Sequence, residues 1–136
     1  MLVEPNRNLR IAVVDDQNEL SELYSKGIEN LGYPTPSFFY NGTSMVKALS
    51  RDHQSYDVII IDYQIPEMSG IEAAKIIQRY KSDTRIIIAT ANDLVKLEAI
   101  GAGLSFLPKP FSMEQLTECL ESSGPDRCKI RNRPVA

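Results

Sequence analysis

The chain has 136 residues, of which 43% are hydrophobic, a length that suits one compact domain with a buried core. With 15 basic against 18 acidic residues its net charge is −3, which gives no global attraction to nucleic acid or to an anionic membrane. No apolar run approaches the ~20 residues of a membrane span, and the start MLVEPNRNLR lacks the apolar core of a signal peptide.

The first predicted unit is a strand followed by a helix. The apolar run LRIAVV (9–14) is typical of a β-strand and ends in Asp15 and Asp16. Gly32 is the predicted end of the helix that follows. Apolar residues at steps of three and four positions predict this amphipathic helix: Leu20, Leu23, Tyr24, Gly27, Ile28 and Leu31.

The second and third units repeat this order. PSFFY (36–40) predicts a strand, and a short helix follows with Thr43 as its predicted N-cap. DVIIID (57–62) predicts the third strand, and Ser69 is the predicted cap of a helix that runs to Tyr80. The residues expected to face inward from these two helices are Met45, Val46, Leu49, Ile71, Ala74, Ile76 and Ile77.

The fourth and fifth units complete the pattern. RIIIAT (85–90) is the fourth predicted strand, with a modest helix near 93–100. SFLPKP (105–110) is a short fifth strand that Pro110 ends. Ser112 begins the last helix, with Gln115 in a capping box. Its residues expected to face inward are Met113, Leu116, Cys119 and Leu120.

Five strand–helix units in succession predict an α/β fold with a doubly wound, five-stranded parallel sheet and helices on both faces. The continuous aliphatic strands fit a sheet that is buried on both sides. We expect this domain to span residues 1–122, and residues 123–136 to form a polar, basic tail or linker. Cys119 and Cys128 form neither a CxxC pair nor a metal-type cluster, so a reduced cytoplasmic setting is the simpler interpretation.

Polar residues follow the carboxyl ends of four predicted strands, where ligands bind in sheets of this class. They are Asp15 and Asp16, Asp62, Thr90 and Lys109. Clustered carboxylates with few other ligands suit Mg²⁺, and a carboxylate can itself be a nucleophile that forms an aspartyl phosphate. A metal ion and a lysine would stabilise the charge of a transferring phosphoryl group.

Each of these residues also has a simpler interpretation. Asp15 and Asp16 could be acids at a helix N-terminus, Thr90 an ordinary strand residue and Lys109 a surface lysine. Phe106 is expected in the core, and His53, in a polar stretch, is expected to be a solvated loop residue. The combination at one edge of the sheet favours a phosphoryl-transfer site over these separate interpretations.

The motifs together resemble the receiver domains of two-component response regulators over roughly residues 8–122. VVDDQ is similar to the acidic pair after the first strand, and IIIDYQIPEMSG to the phosphoacceptor strand and its D-x-x-x-P-x-x-x-G loop. IIIATA is similar to the strand of the switch threonine, and FLPKPF to the lysine–proline strand. The resemblance implies a flavodoxin-like (βα)5 fold with strand order 2-1-3-4-5.

The resemblance also implies roles. Asp62 would accept phosphate from a histidine kinase, while Thr90 and Lys109 would hold the phosphoryl oxygens. Asp16 and Asp62 would bind Mg²⁺ directly, Asp15 through water, and Gln64 through its backbone carbonyl. Further implied features are a cis peptide at Lys109–Pro110 and an aromatic switch at Phe106 that responds to Thr90.

As a receiver, the protein would be a switch rather than a turnover enzyme, although it takes part in its own phosphorylation and in hydrolysis of the acyl phosphate. Its implied partners are a histidine kinase or phosphotransfer protein and a downstream output domain or protein. The resemblance allows a homodimer and implies no direct binding of nucleic acid or membrane.

One departure concerns the segment between Thr90 and Lys109. It has 18 residues (91–108), shorter than the family leads us to expect by close to one helical turn, ~3–4 residues. Because the helix in this segment belongs to the family's usual output surface, an alternative is a pseudo-receiver that binds partners without phosphorylation. A phosphatase with Asp62 as nucleophile is disfavoured, since it would need a second carboxylate where Gln64 stands.

Overall fold

The computed structural model describes residues 8–51, 55–81 and 83–121. Five parallel strands form one sheet in the order β2-β1-β3-β4-β5, which confirms the predicted doubly wound α/β fold with order 2-1-3-4-5. Strands and helices alternate along the chain. They are β1 (Ile11–Val14), α1 (Asn18–Asn30), β2 (Ser37–Phe39), α2 (Gly42–Arg51), β3 (Val58–Asp62), α3 (Gly70–Tyr80), β4 (Arg85–Thr90), α4 (Asp93–Gly101), β5 (Ser105–Pro108) and α5 (Met113–Glu121).

The sheet is buried on both faces by two hydrophobic clusters. Successive side chains of β3 point to opposite faces, so Ile59 and Ile61 pack with α2, α3 and α4, whereas Val58 and Ile60 pack with α1 and α5. Every residue of β3 is buried, Asp62 included. A strand that is covered on both sides explains the unbroken aliphatic run before this carboxylate.

Three predicted helix ends are confirmed. Ser69 Oγ accepts the Glu72 N–H at 3.1 Å and caps α3. Ser112 and Gln115 form the predicted capping box, in which the Gln115 side chain accepts the Ser112 N–H at 2.9 Å and Ser112 Oγ accepts the Gln115 N–H at 3.1 Å. Gly32 follows the end of α1 with a φ of 95°, in the left-handed region that favours glycine.

The prediction of Thr43 as an N-cap was wrong. Helix α2 begins at Gly42, and Asn41 Oδ1 accepts the Ser44 N–H at 2.8 Å. Asparagine caps a helix at least as well as threonine, so the asparagine two positions earlier takes the capping place.

Two residues expected to face inward are exposed instead. Leu23 of α1 is 63% exposed and Met113 of α5 is 45% exposed. Leu23 lies one position before the buried Tyr24, about 100° around the helix, and Met113 is the first residue of α5, ahead of the buried part of its apolar stripe.

Several predicted strands are shorter than expected. Strand β1 begins at Ile11, and β2 spans Ser37–Phe39. Strand β5 ends at Pro108, and Pro110, shortly after it, has no N–H to donate to a ladder. The Leu20 side chain, His53 and the tail predicted at 123–136 lie outside the described residues. Within residues 8–51, 55–81 and 83–121, no helix has the length and apolar character that crossing a membrane requires.

Gly70 fixes the loop that follows β3. Its N–H donates to the Tyr63 carbonyl at 2.8 Å, and an antiparallel bridge joins Gln64 to Ser69. A Cβ atom at Gly70 would lie 2.5 Å from the Asp62 carbonyl oxygen and 3.0 Å from Tyr63 Cα. Since both contacts are with backbone, only glycine allows α3 to begin this close to the end of β3.

We therefore expect Gly70→Ala to lower the free energy of unfolding by roughly 2 kcal/mol, the scale of an overpacked site. Gly101→Ala in α4 is the matched control, because nothing lies within 4 Å of its added Cβ. Urea unfolding of both variants measures the difference. Equal effects of the two substitutions would contradict the proposed backbone clash.

Candidate functional site

The polar residues predicted at the strand ends meet at one edge of the sheet. Asp62 is the last residue of β3 and pairs in register with Ala89, while Thr90 ends β4 and pairs with Pro108. The Lys109 N–H donates to the Thr90 carbonyl at 3.0 Å, directly after β5. Parallel strands all present their carboxyl ends at this edge, so the register brings the side chains of three strands together.

Lys109 connects the end of β5 to two of the carboxylates. Its Nζ donates to Asp62 Oδ1 at 3.0 Å and lies 3.9 Å from Asp15 Oδ2. The peptide bond between Lys109 and Pro110 is cis. The side chain of Lys109 is 22% exposed, so the amine is placed at the rim and reaches inward to Asp62.

Three carboxylates crowd this edge. Asp15, Asp16 and Asp62 each offer an oxygen, and these oxygens all lie within 4.8 Å of one another. Burial raises the pKa of Asp62, and the hydrogen bond and charge of Lys109 oppose that shift. Burial also raises the pKa of Asp15, and the negative charges of Asp62 and Asp16 act in the same direction. A single lysine does not compensate three acids.

The donor set fits a hard divalent cation. Asp15 Oδ1 accepts the Gln17 N–H at 2.9 Å, whereas its Oδ2 is buried and has no hydrogen-bond partner among the described residues. Buried carboxylate oxygens are normally paired. Carboxylate oxygens in a small cluster are the ligands that Mg²⁺ prefers, and a cation of charge two would supply the missing positive charge.

A pocket of about 350 Å³ opens over Asp62. Thr90 is 6% exposed, and its Oγ1 accepts the Asn92 N–H at 3.2 Å. The residues around the pocket are Gln17, Asp62, Gln64, Thr90, Ala91, Asn92 and Lys109. Apart from Asp62 and Lys109 they are uncharged, so the group that enters meets amides, a hydroxyl and one ammonium.

Phe106 lies in the core beneath this pocket. Its ring is 2% exposed and belongs to the hydrophobic cluster on the α2–α4 side of the sheet. Phe106 pairs in register with Ile88, two residues before Thr90. The alternation of side chains therefore places Thr90 and Phe106 on the same face of the sheet.

Two residues of the site were not predicted. Gln17 donates its N–H to Asp15, and Asn92 caps α4 by accepting the Leu94 N–H at 3.0 Å. An asparagine directly before the predicted helix at Asp93 is a typical cap and could have been recognised. Nothing in the sequence marks Gln17, because its contribution comes from a backbone N–H.

Comparisons with known proteins agree with this geometry. The family model of the response regulator receiver domain matches residues 11–121. The response regulator MprA of Mycobacterium ulcerans is 29% identical over 112 residues, which are 80% of this chain and 47% of MprA. MprA of Mycobacterium tuberculosis (strain CDC 1551) is 28% identical over the same shares. The chain thus spans about half the length of the curated relatives it matches.

Solved structures show the same likeness. The receiver domain of sensor histidine kinase PA1611 from Pseudomonas aeruginosa PAO1, which has a magnesium ion coordinated in its active-site cleft, superposes with a TM-score of 0.72 at 27% identity. The match covers 83% of this chain and 94% of that domain. The chemotaxis protein CheY4 of Vibrio cholerae gives a TM-score of 0.73 at 25% identity, over 83% of this chain and 96% of CheY4.

The crowded acids predict an unusual dependence of stability on pH and metal. Because the pKa values of Asp15 and Asp62 are raised in the folded state, the two carboxylates lower the free energy of unfolding at neutral pH. That cost disappears as the pH falls through their folded-state pKa values. We expect Asp15→Asn to raise the free energy of unfolding by on the order of 1 kcal/mol at pH ~7 in EDTA.

Urea unfolding in EDTA at neutral and at mildly acidic pH measures this effect, and the gain from Asp15→Asn should shrink at the lower pH. Added Mg²⁺ should stabilise the unaltered chain more than the variant, since a ligand of the folded state stabilises it by mass action. A loss of stability in Asp15→Asn under EDTA would contradict the proposed charge crowding.

Proposed function

The chain belongs to the response regulator receiver domain family of two-component systems, and from that premise we propose that it accepts a phosphoryl group on Asp62 in an Mg²⁺-dependent reaction. Members of this family are signalling proteins rather than enzymes that turn over external substrates. The observation that carries the proposal is the 3.0 Å contact of Lys109 Nζ with Asp62 Oδ1 inside a cluster of three carboxylates.

Asp62 is suited to be the nucleophile. Its backbone belongs to the buried strand β3, the side chain is 11% exposed, and a pocket opens directly over it. Nucleophilic attack requires the ionised carboxylate. Lys109 favours that form, since its hydrogen bond and charge lower the pKa of Asp62 against the effect of burial.

The proposed donor is a phosphohistidine of a histidine kinase or of a phosphotransfer protein. One carboxylate oxygen of Asp62 bonds to phosphorus while the bond from phosphorus to the histidine nitrogen breaks, and the imidazole leaves. Lys109 Nζ then gives up part of its contact with Asp62 and binds a phosphoryl oxygen instead. Thr90 Oγ1, at the same rim, donates to another phosphoryl oxygen.

Asp15, Asp16, Asp62 and the backbone carbonyl of Gln64 are the proposed holders of Mg²⁺. When bound, the ion supplies positive charge that offsets the acidic cluster and the incoming phosphoryl oxygens. The buried Asp15 Oδ2, which accepts no hydrogen bond from the described residues, supports this assignment.

Reversal of the signal is proposed to be hydrolysis of the acyl phosphate. Water attacks phosphorus, the bond between phosphorus and the Asp62 oxygen breaks, and inorganic phosphate leaves. No carboxylate stands two residues after Asp62, where Gln64 lies instead. The chain therefore lacks at that position an acid–base group that would make it a fast phosphatase.

The output is proposed to follow from a change at Thr90 and Phe106. Movement of Thr90 toward the phosphoryl group would alter the space beneath it, on the face where Phe106 packs. Phe106 is buried, and phenylalanine has no hydroxyl to form a hydrogen bond. The proposed switch therefore acts by packing alone.

We further propose a receiver unit of 1–122, with 123–136 as a tail or linker in a cytoplasmic protein. The family match ends at residue 121, which supports this boundary. The downstream partner that receives the signal is proposed to be an output domain or a separate protein. A second copy of this chain is a further proposed partner.

Acetyl phosphate with Mg²⁺ should add one phosphoryl group per chain, and Asp62→Asn should abolish the addition. The amide cannot form an acyl phosphate by the same attack. Intact-mass spectrometry measures the product, with Asp83→Asn, an exposed aspartate near the opposite end of the sheet, as control. Normal labelling of Asp62→Asn would overturn the assignment of the nucleophile.

Mg²⁺ titration separates a phosphorylated receiver from a phosphorylation-independent pseudo-receiver. We expect saturable binding by calorimetry, and a loss of affinity on the order of 100-fold in Asp16→Ala, since even outer partners of a metal contribute 10–100-fold. If the unaltered chain binds no Mg²⁺, the pseudo-receiver becomes the better description.

A further inference from the structure

The turn between β3 and α3 folds back on itself and directs one backbone oxygen outward. Gly70 donates its N–H to the Tyr63 carbonyl at 2.8 Å, and Gln64 pairs with Ser69 in an antiparallel bridge. Because this hydrogen bond joins the residues next to the pair, Gln64 and Ser69 form a non-hydrogen-bonded pair. In such a pair the N–H and C=O groups point away from the opposite residue, so the Gln64 carbonyl points out of the turn.

The oxygen that is directed outward lies at the acidic cluster. Within residues 8–51, 55–81 and 83–121, the Gln64 carbonyl accepts none of the backbone hydrogen bonds found outside helices and strands. Gln64 and Asp16 line one concavity of about 460 Å³. A backbone carbonyl beside a carboxylate is a suitable ligand pair for a hard cation.

The turn has a conformation that its sequence does not favour. Glu67 has a φ of 78°, in the left-handed region that residues other than glycine rarely adopt. Such a conformation persists only where neighbouring contacts hold it in place. The residues on both sides of Glu67 must therefore be anchored to the rest of the fold.

Met68 is the anchor directly after Glu67, and its seat is Gly42. Gly42 is buried and begins α2, and a Cβ atom there would lie 3.0 Å from Met68 Sδ and 3.2 Å from Met68 Cγ. The half-buried Met68 side chain thus occupies the space that a larger residue at position 42 would need. This contact attaches the β3–α3 turn to the connection between β2 and α2.

The same connection supports the acidic residues after β1. At its beginning the Phe39 carbonyl accepts the Asp15 N–H at 3.0 Å, and at its end Gly42 contacts Met68. The connection therefore touches both sources of oxygen ligands, the acids that follow β1 and the turn that follows β3. Strand β2 carries no predicted site residue at its carboxyl end, yet the chain that follows it is in a position to support the site.

We propose that Met68 is a positioning residue of the Mg²⁺ site, because its seat on Gly42 holds the Gln64 carbonyl beside Asp16. The inference rests on the proposed function, since it concerns the same Mg²⁺ site. Met68 offers no oxygen and acts through the backbone of the turn. Without the contact the turn would occupy other conformations, and the affinity for Mg²⁺ would fall with the fraction of chains that keep the competent one.

Calorimetric titration with Mg²⁺ alone, without a phosphodonor, measures this effect. Met68→Ala should lower the affinity roughly tenfold, the lower end of the loss that follows removal of groups that orient metal ligands. Met68→Leu keeps a similar volume and should lower the affinity by less than about twofold. Gly42→Ala should also lower it, since the added Cβ displaces the Met68 side chain. The double variant should bind no more weakly than Met68→Ala, because both changes remove one contact.

Two substitutions elsewhere are matched controls. Val46→Ala truncates another partly buried apolar side chain, which packs on the hydrophobic cluster from α2. Gly101→Ala adds a Cβ atom with nothing within 4 Å. Both should leave the Mg²⁺ affinity unchanged, even where Val46→Ala lowers the free energy of unfolding. Thermal unfolding in EDTA verifies that every variant is folded, and Gly42→Ala gives an independent reading if Met68→Ala is unstable.

Unchanged Mg²⁺ affinity in folded Met68→Ala, or an equal loss in Val46→Ala, would overturn the inference and leave the Mg²⁺ site itself in place. A fully additive loss in the double variant would trace the effect of Gly42→Ala to Ala73 Cβ, 3.1 Å from the added atom. That result would overturn Gly42 as the seat of Met68. If the unaltered chain binds no Mg²⁺, the metal site of the proposed function fails and this inference fails with it.

Discussion

The contact between Lys109 and Asp62 joins the ends of two strands that are not neighbours in the sheet. Strand β4 lies between them, and its last two residues, Ala89 and Thr90, pair in register with Asp62 and Pro108. The 3.0 Å contact therefore depends on the correct alignment of β3, β4 and β5 along the whole buried sheet. Because the ammonium is the one cationic side chain in the walls of the pocket over Asp62, it also decides how much negative charge that pocket carries.

The single lysine neutralises only part of the negative charge of the acidic cluster. The stability of the surrounding hydrophobic core offsets the cost of that remaining charge. Two hydrophobic clusters cover the sheet on both faces, and they stabilise the fold independently of the charges at its rim. The site can thus keep carboxylates whose pKa values burial raises. Functional sites often carry such local conflicts, since a site already neutralised by the protein would gain little from binding a cation or a phosphoryl group.

The sequence was sufficient to place the site residues at the ends of strands because the signals of those strands are local and strong. Aliphatic runs that end in Asp15, Asp62 and Thr90 follow the period and burial of parallel strands, and the family resemblance supplied the order of the sheet. The burial of residues at the margin of a helix's apolar face was harder to predict. Leu23 and Met113 have the spacing of core residues, yet they are exposed because their burial depends on where α1 and α5 meet the sheet. Gln17 escaped prediction since its backbone, not its side chain, contacts Asp15.

Lys109 lies between two concavities of different chemical character. On one side of Lys109 lies a polar pocket with Asp62, and on the other side lies an apolar groove with Tyr24 and Phe111. A shift of Lys109 toward a phosphoryl oxygen would also shift the wall of the groove, because one side chain belongs to both. Any molecule with different affinities for the two positions of that wall must in turn change the affinity of the site for phosphoryl oxygens.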